Sequence, residues 1–452
     1  MRSFSFGSRR VFFEKLWYHE TMKIGFVSLG CAKNLVDSEE LMGRVRALGH
    51  TLTGDVHEAE VIVINTCGFI ESAKEESINT ILEMAEYKEE NLRYLIVCGC
   101  LSQRYKKELE AELPEVDRFI TITEYPQFED ILSEVLHTSN VVTKKAERIL
   151  TTQPWTAYLR IGDGCSNRCT YCAIPLIRGP FSSVPEEDLI QEAEYLASKG
   201  VKELVLIAQD TTRYGYDWDG KLHLLSLLKK LNAMEAFHWI RVLYMYPDEI
   251  PEELIYGMKE LDKVVPYFDI PMQHGSNKML KLMNRRGTKE SVTKLCQLIR
   301  SNFKHSTLRT TMIVGFPQET EEDFEELLDF VKENRWDRLG AFTYSKEEDT
   351  LAYDMEGQID EDVKTERLDR LMSLQQVISQ ENSEKLIGET LEVLVEGYDA
   401  IKDLYRGRSK LSAPDGVDGI VYIRSSEGLT FGEFYNVKIL EAKAYDLIGE
   451  LA

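Results

Sequence analysis

The sequence predicts an α/β chain in three parts: an N-terminal parallel-sheet α/β domain, a partial (β/α)6 barrel, and a small C-terminal antiparallel β-barrel. Three observations predict it. Short apolar strands alternate with helix-length segments from residue 22 to about 344, which is the pattern of parallel sheets covered by helices. A polar stretch at 138–155 (TSNVVTKKAERILTTQPW) interrupts this alternation and reads as an interdomain linker. Past Gly388 the pattern changes to short alternating strands parted by turn residues such as Pro414-Asp415-Gly416.

The elements follow in order. Residues 1–21 hold Arg9 and Arg10 before a short apolar run, Val11–Phe13, which Glu14 and Lys15 interrupt. A secretory core needs about 7–15 apolar residues, so this segment is expected to be a leader or a disordered arm. Domain one, 22–140, has strands near 23–29, 61–65 and 94–98 and helices near 38–48, 71–87 and 102–113. Domain two, 151–385, has strands near 157–161, 204–208, 240–243, 267–270, 310–314 and 340–344. Its helices fall near 186–198, 222–232, 252–258, 278–283, 289–301 and 321–334, and a charged connecting helix follows at about 362–385. Six such units are too few for a closed eight-unit barrel. Domain three, 386–452, has strands TLEVLVEGY, GIVYIRS and GEFYNVKILEA.

Composition bounds the function. The 452 residues are 43% hydrophobic and 29% charged, which excludes wholesale disorder. Lys plus Arg number 54 against 77 Asp plus Glu, a formal net charge of −23. That surplus argues against a chain-wide nucleic-acid coat, because phosphate binding needs cations. No apolar run reaches the roughly 18 residues of a membrane span.

Eight cysteines carry the chemistry. In a chain without a secretory signal, clustered cysteines read as metal ligands or redox groups, and the cytoplasm is the expected compartment. The strongest signal is GCSNRCTYCAIP, which spaces Cys165, Cys169 and Cys172 as CxxxCxxC. A cubane 4Fe–4S cluster wants four thiolates; three from one loop leave one iron open. A structural zinc site would need a fourth ligand, and the loop has none. Cys31, Cys67 and Cys100 each fall just past a different parallel strand, where such sheets place ligands. They suggest a second metal site. Cys98 inside its strand and Cys296 on an apolar helix face read as small core residues.

CxxxCxxC after the first strand of a partial barrel, with Tyr171 before the third cysteine, resembles the radical S-adenosylmethionine (SAM) superfamily. The resemblance implies that Cys165, Cys169 and Cys172 hold a cluster whose open iron binds SAM, and that the SAM is cleaved to a radical that abstracts hydrogen from carbon. TTMIVGFPQET at 310–320, Ala208-Gln209-Asp210 and DIPMQHGS at 269–276 lie where the family lines its cofactor cleft. Gln209, Gln273, Gly315 and Glu319 are therefore cofactor candidates, Gly315 for close backbone approach; His274 reads as a satisfied polar residue. The spread cysteines, the loop and the terminal barrel together resemble the methylthiotransferases, with an auxiliary-cluster domain, a radical SAM core and a TRAM domain. That implies two 4Fe–4S clusters, Cys31, Cys67 and Cys100 holding the second. It also implies SAM in two roles, methyl donor and radical source.

Two branches of that family act on a ribosomal-protein aspartate and on transfer-RNA adenosine. SLGCAKNLVDSE at 28–39 resembles the ribosomal-protein branch; the transfer-RNA branch usually has GCQMN there. NTCGFIESAKEESI at 65–78 and the tail YRGRSKLSAPDGVDGIVYI agree. Residues 386–452 hold seven Lys plus Arg against twelve Asp plus Glu, a net −5 that suits a basic protein partner better than tRNA. The expected activity is methylthiolation of the β-carbon of an aspartate in small-subunit ribosomal protein S-twelve, free or in the subunit. The tRNA adenosine methylthiotransferase is the alternative within the family. A zinc-stabilised RNA- or ribosome-binding scaffold is the alternative of another class. Neither the electron donor nor the sulfur donor has a signature in the chain. One departure is Ser183-Val184-Pro185, where the family usually has a Ser-Arg pair.

Overall fold

A computed structural model of the chain describes residues 21–138, 146–414, 416 and 418–452. The leader at 1–20, most of the expected linker's first half (139–145) and Asp415 of the turn lie outside the described residues. Two compact units are present. One comprises the chain up to Gly30, Asp37–Gly68 and Ala73–Ile149; the other comprises Cys31–Val36, Phe69–Ser72 and Leu150–Ala452.

The first unit is built on a five-stranded parallel sheet. Its strands are β1 (Lys23–Ser28), β2 (Thr51–Leu52), β3 (Val61–Thr66), β4 (Tyr94–Gly99) and β5 (Arg118–Ile120), in the order β2-β1-β3-β4-β5. The helices are α1 (Ala32–Ala47), α2 (Glu71–Ala85), α3 (Cys100–Glu112) and α4 (Phe128–Val135). Strand β3 shows why the sheet is covered on both faces: Val61 and Val63 enter one core, Ile62 and Ile64 the other. Register sets Ser28 opposite Asn65 and Asn65 opposite Cys98, so β1, β3 and β4 end level. A buried ion pair, Arg148 to Glu39 at 2.6 Å, fastens the end of the unit to α1.

The second unit carries β6 (Thr156–Arg160), β7 (Gly162–Asp163), α5 (Ile174–Arg178), β8 (Ser182–Ser183), α6 (Glu186–Ser198) and β9 (Glu203–Ile207). After them come α7 (Tyr216–Asp219), α8 (Leu224–Asn232), β10 (Trp239–Val242), α9 (Glu252–Lys259), β11 (Tyr267–Asp269), α10 (Asn277–Leu282), α11 (Lys289–Asn302), β12 (Thr307–Val314), α12 (Glu321–Asn334), β13 (Arg338–Thr343) and α13 (Glu361–Glu384). Parallel pairing gives two three-stranded sheets, β6-β9-β10 and β11-β12-β13, joined through a bridge between Ile240 and Val264. Six parallel strands in chain order make the partial barrel. Leu159, Leu206, Val242, Phe268 and Met312 face outward and pack under the covering helices with Leu196, Leu231, Ile299 and Phe324, while the alternate positions Tyr158, Val205, Ile207, Trp239 and Tyr267 form a separate buried cluster on the other strand face.

Five strands, β14 (Thr390–Asp399), β15 (Leu404–Ser409), β16 (Val421–Arg424), β17 (Phe434–Ala442) and β18 (Leu447–Leu451), close the terminal barrel. Four pairings are antiparallel, and β16 with β18 is parallel. Among the described residues no helix is long and apolar enough to cross a membrane.

Candidate functional site

The CxxxCxxC loop leaves β7 and returns through α5 to β8, which pairs with β7. Its base is closed by the Cys165 N–H donating to Gly179 O at 3.0 Å. Several elements pin it. Asn167 donates to Asp210 at 2.8 Å, past β9, and accepts from Arg286 at 2.9 Å. The Thr170 hydroxyl donates to Leu282 O at 2.9 Å, and the Asn284 side chain donates to Arg168 O at 2.8 Å. Tyr171 packs with Met279, Met283, Phe316 and Tyr344.

All three thiols are free and half-buried. The Arg285 guanidinium stands 3.7 Å from Cys169 Sγ and stacks on Tyr246 at 4.0 Å, and the Tyr246 hydroxyl is itself 4.0 Å from that sulfur. Burial pushes the Cys165 thiol up to about 11 and raises Cys172 as well. Thiolates at these positions need a cation to neutralise them, and iron supplies one. Three soft donors on one rigid loop, without a fourth in the loop, fit a cubane with an open corner. Among the described residues no three His, Cys, Asp or Glu side chains gather closely enough to share one metal ion. A cubane asks less, since each thiolate binds a different iron.

Cys67 directly follows β3, and Cys100 opens α3 directly after β4. The Ser77 hydroxyl clasps Cys67 by accepting from its N–H at 3.1 Å and donating to its carbonyl at 2.9 Å. Gly68 lets this turn lie against the start of α3. A Cβ there would come within 3.0 Å of the Cys100 carbonyl carbon and 2.8 Å of Leu101 Cα. Cys31 follows β1 and is exposed. Burial of its surroundings would raise this thiol, but the Lys33 ammonium and the Asn34 N–H hold it below its usual value. Cys98 and Cys296 are core residues.

The four cofactor candidates lie at strand ends of the barrel. Gln209, after β9, donates to Asp163 at 2.8 Å, and its buried Oε1 has no partner among the described residues. Gln273, after β11, has φ +78° and bridges to Met312. Gly315 has φ +71°, but the space a Cβ would take is filled by Lys364, whose Cγ lies 2.2 Å from that point. Its freedom serves that turn and the Lys364 contact. Glu319 is buried and accepts from Gly315 N–H at 2.8 Å and from Arg367 at 2.9 Å. Buried His274 accepts from Ser276 N–H at 2.9 Å through Nδ1, and its Nε2 is 3.4 Å from Glu319. Gly315 and Glu319 thus shape the turn after β12 from within.

Sequence reasoning missed the charged residues around the cysteines. Asp163 accepts from Gly164 N–H and Gln209 and pairs with Arg178 at 3.1 Å; Arg178 also donates to Asn34 at 2.7 Å. Lys33 lies 3.7 Å over the Tyr244 ring. Nothing in spacing or periodicity marks these residues, and only Lys33 falls within a quoted motif, SLGCAKNLVDSE.

Barrel and loop define the class: a radical SAM enzyme. The family model "Radical SAM superfamily" matches residues 159–331, "Uncharacterized protein family UPF0004" matches 23–121, and "TRAM domain" matches 387–452. A ribosomal protein uS12 methylthiotransferase RimO of Clostridioides difficile (strain 630) is 51% identical over 441 residues, covering 95% of this chain and 99% of that one. One of Acetivibrio thermocellus is 49% identical over 445 residues, covering 95% and 98%. The chain belongs to the RimO family of ribosomal protein uS12 methylthiotransferases. Among solved structures, the radical SAM methyltransferase TsrM from Kitasatospora setae shares the fold, with a TM-score of 0.53 at 10% identity over 72% of each chain.

Proposed function

We infer that this chain is a radical SAM methylthiotransferase that places a methylthio group on the β-carbon of an aspartate in ribosomal protein uS12. The observation that carries the reading is relationship at about half identity over nearly full length to enzymes bearing that name. The motif GCAKN and the acidic terminal barrel support it. Cys165, Cys169 and Cys172 would hold the SAM-binding cluster, and Cys31, Cys67 and Cys100 the second, past three adjacent strands. When bound, two 4Fe–4S clusters and SAM, as radical source and methyl donor, supply one-electron chemistry that no side chain can. The chain's part is to hold and orient. Arg285 and Tyr246 face Cys169 and would donate to its sulfur. Gln209, with its spare buried oxygen, is the best placed of the four residues for a cofactor contact. Gln273, Gly315 and Glu319 would set the neighbouring turns. A ribosomal substrate places the enzyme in the cytoplasm, with uS12 met free or in the small subunit and tRNA not a substrate.

The test is anaerobic reconstitution followed by incubation with uS12, SAM, sulfide and a reductant. Mass spectra should show one aspartate gaining the mass of one sulfur and one CH2. The same gain on tRNA, with none on uS12, would overturn the reading. Metal analysis should give about eight irons per chain; stoichiometric zinc instead would sink it.

A further inference from the structure

Among the described residues the partial barrel stays open between its two outer strands, and those strands differ. Strands β6 (Thr156–Arg160) and β13 (Arg338–Thr343) each pair on one side, with β9 and with β12. Strand β6 is buried over 156–159, whereas β13 reaches solvent over 340–343. The Tyr344 N–H donates to Val314 O at 2.8 Å, so by alternation Gly340 and Phe342 also turn their peptide groups to β12. Leu339, Ala341 and Thr343 turn theirs to the open side, where no hydrogen bond from the described residues reaches them. Sheet edges are ordinarily blunted by lysine, proline, a bulge or a covering element. Strand β13 reads RLGAFT and pairs with β12 without a register shift. Its one charged residue, Arg338, turns its guanidinium back to Asp337 O at 3.0 Å.

The surroundings narrow what pairs with this edge. Leu339 and Ala341 pack under the covering helices, so Phe342 lies on the opposite strand face, and it is 55% exposed. The strand runs toward the carboxyl ends, the face where ligands enter. Just past it, Tyr344 packs with Phe316 and with Tyr171 of the cysteine loop. A chain laid along β13 is therefore led toward that loop. Charge gives an independent argument. The segment after the strand holds seven exposed carboxylates within 348–362 and no Lys or Arg. Of these, Glu361 is engaged by Lys364 at 2.6 Å. Such a field attracts a basic polypeptide and repels a phosphate backbone. A row of edge peptide groups selects in the same direction, because it is satisfied by another main chain with the same repeat of N–H and C=O.

We propose that β13 is the docking edge for the protein substrate: an extended segment of uS12 beside the target aspartate pairs with its open side as an added strand, and Phe342 supplies the apolar contact. The inference rests on the reading of uS12 as substrate.

The experiment uses reconstituted holoenzyme, whole uS12, and synthetic uS12 peptides spanning the target aspartate, each N-methylated at one backbone position. N-methylation removes one main-chain donor and keeps every side chain. Binding should weaken roughly 3- to 10-fold at every second position of the paired segment and stay near the unmodified value at the positions between, as for loss of single hydrogen bonds. Amide exchange at 338–343 should slow when uS12 binds. Phe342→Ala should weaken peptide binding roughly tenfold, with iron and sulfide content and SAM affinity at wild-type levels. An N-methyl series without the two-residue period would overturn the proposal, and so would unchanged exchange at 338–343 under saturating uS12. Exchange there that slows with rising enzyme concentration in the absence of uS12 would overturn it by assigning the edge to a second copy of this chain. Methylthiolation of tRNA and not of uS12 by wild-type enzyme would instead remove the underlying reading, and the proposal with it.

Discussion

Cys98 and Cys296 are fully enclosed, and burial pushes each thiol up to about 12. At pH 8 both stay protonated, and no reagent reaches them. Native protein should leave both unalkylated by iodoacetamide, while both react in urea; peptide mass spectra decide, and early native labelling would show that the strand or helix opens. Cys98→Ala should keep all iron, whereas Cys169→Ala should lose about four atoms of the roughly eight. These thiols were legible because a cluster needs several of one rare residue at fixed spacing. Lys33 and Arg285 were not. Each is a common residue whose role depends on what surrounds it: a tyrosine ring in one case, a tyrosine ring and a thiol in the other.

Helix α12 shows how an element announces itself. Thr320 caps it, accepting from the Asp323 N–H at 3.3 Å, while Asp323 accepts from Thr320 N–H at 3.0 Å. The expected span, 321–334, is the observed one, and α6 likewise begins after Pro185 as read. Burial works to raise the Asp323 pKa, but Lys278, the Thr320 backbone and hydroxyl, and Ser276 hold it down at about 2. A folded pKa below the unfolded value stabilises above the latter and is lost as pH falls through the former. Asp323→Asn should therefore cost about 1–2 kcal/mol at pH 7. The difference in urea midpoint should shrink between pH 4 and pH 2; a gap constant to pH 3 would show the carboxylate's charge to be irrelevant. Helix α1 was less legible: it begins at Ala32, not near residue 38. Asn34 and Val36 in its first turns are fully buried, so no polar face marked the start. Strand β15, LYRGRS, was missed because Gly407 and two arginines break the alternation and β14 supplies the pairing.

At the scale of the second unit, the partial barrel and the terminal barrel are joined by a buried ion network. Glu203 of β9 accepts from Arg241 at 2.9 Å and from Arg408 of β15 at 2.6 Å, and Arg408 also pairs with Glu396 at 2.8 Å. Burial would raise the Glu203 pKa, but Arg408 and Arg241 hold it below the usual carboxylate range. Tyr267 donates to Asp418 at 2.6 Å beside it. Partners at 203, 241 and 408 are too far apart in the chain to leave a pattern. Within 386–452, Arg408 and Glu396 are spent on one another, one charge of each sign, so the net count of −5 is unchanged by their pair. The join itself should be fragile to one deletion. Glu203→Ala leaves the buried Arg241 guanidinium without a carboxylate and Arg408 with Glu396 alone, and should cost on the order of 3–5 kcal/mol. The loss falls where the two barrels meet, so residues 390–451 should exchange their amide hydrogens and yield to protease before the parallel strands do. Replacing Glu203 and Arg241 together by apolar residues of similar volume should recover most of the loss, because Arg408 keeps Glu396 and no buried charge is then left unpaired. Hydrogen exchange on the single and double variants decides. Equal protection of both barrels in Glu203→Ala would mean that the apolar contacts, not the ions, hold them together.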